Sequence, residues 1–351
     1  MRFGPVPVEE AVGAISAHMI RADDALVRKG ALISEEIAAR LKQAGIETVV
    51  AARLEAGDVG ENEAALRLAE ALVGDNVTVE RPFTGRSNLY AKRAGVFVVA
   101  KGVLDDLNAV DEAITAATLP AYKPVVAGEM IGTVKIIPYA VAGAALGRAL
   151  AIAGQGTLRV APYARRNVAV ISTVLPGLKP SIILKTLDVL RKRLDPAGAR
   201  IAVERRVPHE TEALGRELTD PAVSQADLIV VFGASAIADR RDVIPAAIEH
   251  AGGRIERFGM PVDPGNLLLV GALNGKPLVG APGCARSPKE NGFDWVLQRL
   301  LADLPITHGD IAALGVGGLL MEIASRPQPR AGDERIGKEE ANRSTTDEDK
   351  P

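Results

Sequence analysis

The sequence predicts a doubly wound α/β fold with a mostly parallel sheet in its second half, preceded by a smaller α+β region. Three observations carry the prediction. The first is the stretch 226–245, A-D-L-I-V-V-F-G-A-S-A-I-A-D-R-R-D-V-I-P, in which Leu228, Ile229, Val230, Val231 and Phe232 run without polar alternation up to Gly233. Such a run reads as a central strand covered on both faces. The second is the order of patterns from Val168 onward, strand and helix by turns, which calls for right-handed crossovers and helices on both sides of one sheet. The third is composition: aromatics make up only 3% of the chain, so Ala, Val, Leu and Ile do the packing, as in layered α/β proteins.

At 351 residues the chain exceeds one compact core and predicts two domains or more. Hydrophobic residues are 47% and charged residues 25%, the profile of an ordinary globular protein. Lys plus Arg number 42 against 44 Asp plus Glu, which argues against a nucleic-acid surface. The single cysteine, Cys284, excludes an internal disulfide framework. The opening M-R-F-G-P-V-P-V-E-E has no signal-like apolar core and no run reaches spanning length, so no membrane partner and a cytoplasmic location are expected.

In chain order, residues 13–20 and 26–33 read as two strands around the turn 21–24. Ser34 before Glu35, Glu36 and Ile37 predicts an N-capped helix ending at Gly45. Strands follow at 47–52 and 76–81, separated by a helix over 61–72. The segment 82–89, P-F-T-G-R-S-N-L, has the composition of an exposed turn, and a binding loop would use the same residues. A further strand region spans 130–139, where Lys135 is the one charge in an apolar run and must pair, snorkel or meet an anion. After a helix over 143–153, the residues around Gly154-Gln155-Gly156 and 162–167 predict the joint between domains, with a boundary near Arg165.

The expected domains are therefore 1–164, with room for two subdomains, and 165–325. In the second, strand 168–173, helix 181–194, strand 200–207 and helix 210–218 lead to the central strand, a helix after Asp242, and β-pieces at 267–273 and 277–279. Gly233, Ala234 and Ser235 make a small-residue turn at the carboxyl end of the central strand, where open α/β sheets bind ligands. Asp239 and Asp242 sit at its mouth, although acids there also serve simply to cap the next helix. Ser287, Pro288 and Glu290 spell a capping box with proline at the first helical position, predicting a last helix with Phe293, Leu297, Leu300, Leu301 and Leu304 buried. Arg286 and Lys289 beside that helix start would make an anion site, or a capped helix with solvated cations.

Here a family resemblance becomes specific. Pro282-Gly283-Cys284-Ala285-Arg286-Ser287-Pro288-Lys289-Glu290 resembles the Pro-Gly-x-Pro-x-Ser-x-Lys-Glu turn of the molybdopterin-binding fold family, which includes molybdopterin adenylyltransferase and molybdopterin molybdotransferase. Gly233-Ala234-Ser235 with Arg240-Arg241-Asp242-Val243-Ile244-Pro245 is similar to that family's Gly-Gly-Thr/Ser-Gly loop and Arg-Arg-Asp-Val-Thr-Pro. The likeness spans 166–304. The first half, with Lys29-Gly30-Ala31-Leu32-Ile33 and residues 57–61, loosely resembles segments that precede this fold in molybdotransferase-like proteins, and the whole looks like the molybdopterin-binding half of chains fused to a nucleotidyltransferase.

The resemblance implies a three-layer α/β/α domain that holds molybdopterin, or its nucleotide form, between two loops. Gly233, Ala234 and Ser235 would offer backbone donors, and Pro282, Gly283, Cys284, Arg286, Ser287 and Lys289 would form the opposite wall. Asp242, and after it Asp239, would take the catalytic places, with Asp242 the ligand of a magnesium ion bridging carboxylate and phosphate. The implied function is molybdopterin binding in molybdenum cofactor biosynthesis, modification or delivery. The alternatives are a magnesium-dependent adenylyl- or molybdo-transferase and a noncatalytic carrier for a nucleotidyltransferase or molybdoenzyme, with homo-oligomerisation open.

The sequence departs from the family at four places. Ala234 stands for the second loop glycine, Ala285 for the turn proline, His209 for an acid, and Ser172-Thr173-Val174-Leu175 for a strand end that often carries Thr-Gly-Ser/Asp-Glu. Fewer carboxylates mean less charge to hold a metal. His209 is a pH-sensitive substitute or a solvated surface residue. Cys284 before a helix start, with Arg286 near in sequence, would have a lowered pKa and meet molybdenum or a dithiolene sulfur; a small buried hydrophobe is the other reading. Residues 315–321 are expected to pack back on the domain or form a subunit contact. The tail 326–351 is polar enough to be disordered.

Overall fold

The computed structural model of the protein describes residues 1–22 and 25–321. The chain divides after Pro162 into two compact units. The turn residues 23–24 and the tail 326–351 lie outside the described residues.

The first unit holds two separate apolar cores. In one, strands Arg2–Pro7 and Thr48–Arg53 pair antiparallel with Ile15–Ser16 beside them, under helix Glu35–Gln43. Ser34 Oγ caps that helix by accepting from the Ile37 N–H at 3.2 Å. The two long strands expected over 13–20 and 26–33 are instead the short pieces Ile15–Ser16, Ile20–Ala22 and Ala25–Val27. Gly13 and Gly30, both at φ +80, break them. The other core packs helix Glu61–Leu72 on an antiparallel sheet in the order Ile114–Thr118, Met130–Ile136, Arg86–Ala91, Val77–Val79. Segment 82–89 is a tight turn there: Phe83 and Arg86 exchange backbone hydrogen bonds around Thr84 and Gly85, at φ +48 and +70. Lys135 resolves by pairing, with its ammonium 3.8 Å from the Glu61 carboxylate and donating to the Thr84 carbonyl.

The second unit is a three-layer α/β/α domain. Its elements in chain order are β1 (Asn167–Val174), α1 (Pro180–Leu194), β2 (Arg200–Pro208), α2 (Thr211–Leu218), β3 (Leu228–Phe232), α3 (Val243–His250), β4 (Arg254–Phe258), β5 (Leu269–Leu273), β6 (Lys276–Ala281) and α4 (Gly292–Leu301). The sheet runs β2-β1-β3-β6-β5-β4. β2, β1, β3 and β6 are mutually parallel, while β5 and β4 finish one edge antiparallel. All five residues of β3 are buried, as the unbroken apolar run requires.

Alternation across β3 sets the layers. Ile229 and Val231 face a core built with Leu214 and Leu218 of α2 and Ile244, Ala247 and Ile248 of α3. Phe232 faces the other side, where its ring lies 6.4 Å from that of Phe293 on α4. Residues 315–321 return to the domain through backbone bonds, Asp263 donating to Gly318 and Leu320 donating to Asp263, while Val316, Leu319 and Met321 stay exposed. Among the described residues no helix is long and apolar enough to cross a membrane.

Candidate functional site

Strand order reverses between β1 and β3, because the chain leaves β1 toward β2 on one side and returns to β3 on the other. The carboxyl ends of such a pair open a crevice between diverging loops. The loop after β3 begins with Gly233, where a Cβ would come within 2.5 Å of the Ser235 carbonyl and 2.9 Å of Ile244 Cδ1, so only glycine fits. Ala234 donates its N–H to Thr173 Oγ1 of β1 at 2.8 Å, and the same hydroxyl lies 2.8 Å from His209 Nδ1 just beyond β2. Three adjacent strand ends are thus tied at one point. Ser235 is exposed beside them.

The loop after β6 forms the other wall. Residues Gly283–Arg286 make a single 3-10 turn, after which Ser287 has extended dihedrals and the chain bends over 287–289. The capping box expected at Ser287 lies further on: α4 starts at Gly292, Asn291 caps it, and Asp294 accepts from the Asn291 N–H at 2.9 Å. The helix N–H groups there are taken, since Gly292 donates to the Pro264 carbonyl, Phe293 to Asn291 Oδ1 and Asp294 to the Asn291 carbonyl. The anion site expected at that helix start is therefore filled by the protein's own acceptors.

Arg286 joins the walls. Its guanidinium donates to the Gly233 carbonyl at 2.8 Å and to Thr186 Oγ1 of α1 at 3.1 Å, and it stacks over Phe232 at 5.7 Å from the ring centre. Burial lowers its pKa from the ordinary arginine value. Arg193, buried on α1, holds the second loop from behind, donating to the carbonyls of Ala285 (2.9 Å), Ser287 (2.7 Å) and Lys289 (3.3 Å) and pairing with Asp294. Ser287 Oγ accepts from the Lys289 N–H at 3.2 Å, Pro282 is buried, and Gly283 and Lys289 are exposed. The two loops thus share one rim and touch directly.

The two acids differ in employment. Asp242 is the N-cap of α3: Oδ1 accepts from Val243 N–H at 2.7 Å and Oδ2 from Ala238 N–H at 3.1 Å. Asp239 is exposed and accepts from both the guanidinium (2.8 Å) and the N–H (2.9 Å) of Arg241, whose hydrogen bond holds its carboxyl below the ordinary range. Among the described residues no group of three or more His, Cys, Asp or Glu is placed to hold a metal ion. With both Asp242 oxygens already accepting N–H groups, the chain's own donors do not build a resident magnesium site.

Cys284 is half-buried, with its Sγ 3.7 Å from Asn291 Oδ1. Burial pushes its thiol up to about 11, the reverse of the lowered value expected from its place in sequence. Desolvation outweighs the lowering by its own backbone N–H and by Arg193, and the helix start expected beside it lies seven residues on, at Asn291. Sequence reasoning missed Thr173, Thr186 and Arg193, which tie the walls to their strands and helix. A hydroxyl closing β1 and an arginine on a buried helical stripe were the available signals.

A family model described as "Probable molybdopterin binding domain" matches residues 170–303, and another, a domain of unknown function, matches residues 5–53. No curated protein matches. Solved structures similar to the chain include a molybdopterin biosynthesis moea protein from Pyrococcus horikosii, at 16% identity over 86% of this chain and 75% of that one, with a TM-score of 0.30. A molybdenum cofactor biosynthesis protein B is similar at 12% identity over 40% of this chain and 96% of that one, TM-score 0.28. The protein CinA from Thermoplasma acidophilum, titled as of unknown function, is similar at 15% identity over 36% and 91%, TM-score 0.27. The match at 170–303 takes in the glycine loop after β3 and the turn after β6, and the chain carries there a domain of the molybdopterin-binding fold family.

Proposed function

We propose that the protein binds molybdopterin or its nucleotide form at the rim formed by residues 233–235 and 282–287, and serves molybdenum cofactor biosynthesis, modification or delivery. The observation that carries this reading is the joining of the two family motifs by Arg286 at the switch point of a sheet matched to a molybdopterin-binding model. In this reading Ser235 and the backbone around it meet the ligand's phosphate, and Lys289 supplies exposed positive charge near the opposite wall.

Between the catalytic and carrier alternatives, the acids favour a carrier. Asp242 caps a helix, Asp239 is paired to Arg241, and Val174 and His209 stand at the ends of β1 and β2, with Glu210 beside His209 exposed at the start of α2. A carrier passes its ligand to a nucleotidyltransferase or molybdoenzyme without turnover. Titration of the purified chain with molybdopterin tests the reading: binding with Kd of about 1 µM or tighter is expected. Adenosine triphosphate added with magnesium should give no adenylylated product. Product formation would replace the carrier with the transferase reading, and absent pterin binding would end both.

A further inference from the structure

Thr173 is 1% exposed and its hydroxyl has two neighbours, the Ala234 N–H and His209 Nδ1. The N–H can only donate, so it takes a lone pair of the hydroxyl oxygen. The hydroxyl proton then needs an acceptor, and in this buried position the ring nitrogen is the one within reach. With the hydroxyl as donor, Nδ1 is the acceptor and the ring N–H is at Nε2. That Nε2–H has no partner among the described residues, and the ring is half-buried beside the loop that starts at Gly233.

We propose that His209 is a ligand-binding residue of this crevice, its Nε2–H donating to a phosphate oxygen of the bound ligand. The proposal rests on the reading that the crevice takes a phosphate-bearing molecule. It assigns to the end of β2 a neutral donor, so that the protein grips a phosphate monoester without a divalent cation to screen a carboxylate. Thr173 acts through His209: it fixes the tautomer and, by the same hydroxyl, holds Ala234 in the loop, so donor and loop keep one spacing. A carboxylate in the same place would repel the phosphate and demand a metal between them.

The test uses the full chain, His209→Asn and His209→Asp. Asparagine keeps an acceptor for the Thr173 hydroxyl while removing the Nε2–H. Nitrogen-15 NMR of the histidine ring at about pH 8, above the ordinary histidine range, should show Nε2 protonated and Nδ1 bare; the opposite tautomer overturns the proposal whatever the binding result. Inorganic phosphate should shift the Nε2 resonance, and metal-free affinity for molybdopterin should fall roughly 10-fold in His209→Asn, with an unchanged unfolding midpoint. In His209→Asp the loss should be larger and partly restored by magnesium. Unchanged affinity in both variants, with the wild type binding molybdopterin, removes His209 and leaves the proposed function standing. A phosphate-dependent Nε2 shift without molybdopterin binding does the reverse, and no shift with phosphate or molybdopterin overturns the role of His209.

Discussion

The two walls of the crevice are built by opposite means. The wall after β6 is held from inside by arginines: Arg193 reaches three of its carbonyls and Arg286 crosses to Thr186 and Gly233. Beyond the Gly233 carbonyl that Arg286 reaches, the wall after β3 is held by the Thr173 hydroxyl at Ala234 and a helix cap at Asp242, and Ser235, Asp239, Arg240 and Arg241 are exposed. The arginines of one wall go into structure, whereas Ser235 and Arg240 of the other are exposed to solvent or ligand. A cation in the sequence of a binding motif is thus not by itself a ligand cation. Arg286 belongs to the motif and is already bonded to the protein.

Arg193→Met should break this contrast most severely. It leaves Asp294 and three loop carbonyls without their buried partner, and loss of one member of a buried pair costs about 3–5 kcal/mol. Denaturant unfolding should show a destabilisation of that order, with molybdopterin binding lost as the wall collapses. If stability falls by less than about 1 kcal/mol, the second wall is not held as described.

Glycines sharpen the same comparison. Gly233→Ala places a methyl group against Ser235 and Ile244 at distances no Cβ tolerates, and overpacking of this kind costs about 1–3 kcal/mol. Gly283→Ala meets nothing within 4 Å and should change stability by less than about 0.5 kcal/mol. Equal effects in a thermal shift assay would mean that the loop after β3 is no tighter at its root than its counterpart.

These cases show what the sequence made legible. The β3 run, a helix after Asp242 and the mostly parallel sheet were readable because five consecutive β-formers and the alternation of strand and helix patterns carry their own signal. The antiparallel edge, with β4 (Arg254–Phe258), was not: R-I-E-R-F has two arginines and a glutamate, and its residues are at most half-buried. The start of α4 was misread because Ser287-Pro288 and Asn291-Asp294 both carry capping chemistry. Pro264, distant in sequence, decides between them by accepting from Gly292. The same limit hid Thr173 and Arg193, whose roles depend on partners 61 and up to 101 residues away.

Asp242 divides capping from chemistry at smaller cost. Asp242→Ala removes an N-cap and should destabilise by about 1 kcal/mol, while Asp242→Asn keeps an equally good cap and should change stability by only a few tenths. In the carrier reading Asp242→Asn also leaves molybdopterin affinity within about twofold. A loss of about 100-fold in an adenylyl-transfer rate on the asparagine variant, with stability intact, would instead make Asp242 a catalytic acid.

Cys284 should show the smallest effect on stability and the clearest on reactivity. Burial pushes the thiol up to about 11, more than its own backbone N–H and Arg193 lower it. The thiolate is the reactive species, and near neutral pH its population should be roughly 100-fold below that of an exposed cysteine. Alkylation by iodoacetamide should accordingly be slow in the folded protein, faster on unfolding, and rise with pH toward the folded value. The sign for stability follows: the folded state holds the thiol proton more tightly than the unfolded chain, so this contribution is intact below the ordinary thiol value of 9.0 and is lost as pH climbs toward about 11. Cys284→Ser should remove that alkaline dependence and leave molybdopterin affinity unchanged. Rapid alkylation at neutral pH, suppressed by the ligand, would move the cysteine from the packed side of its wall to the crevice side.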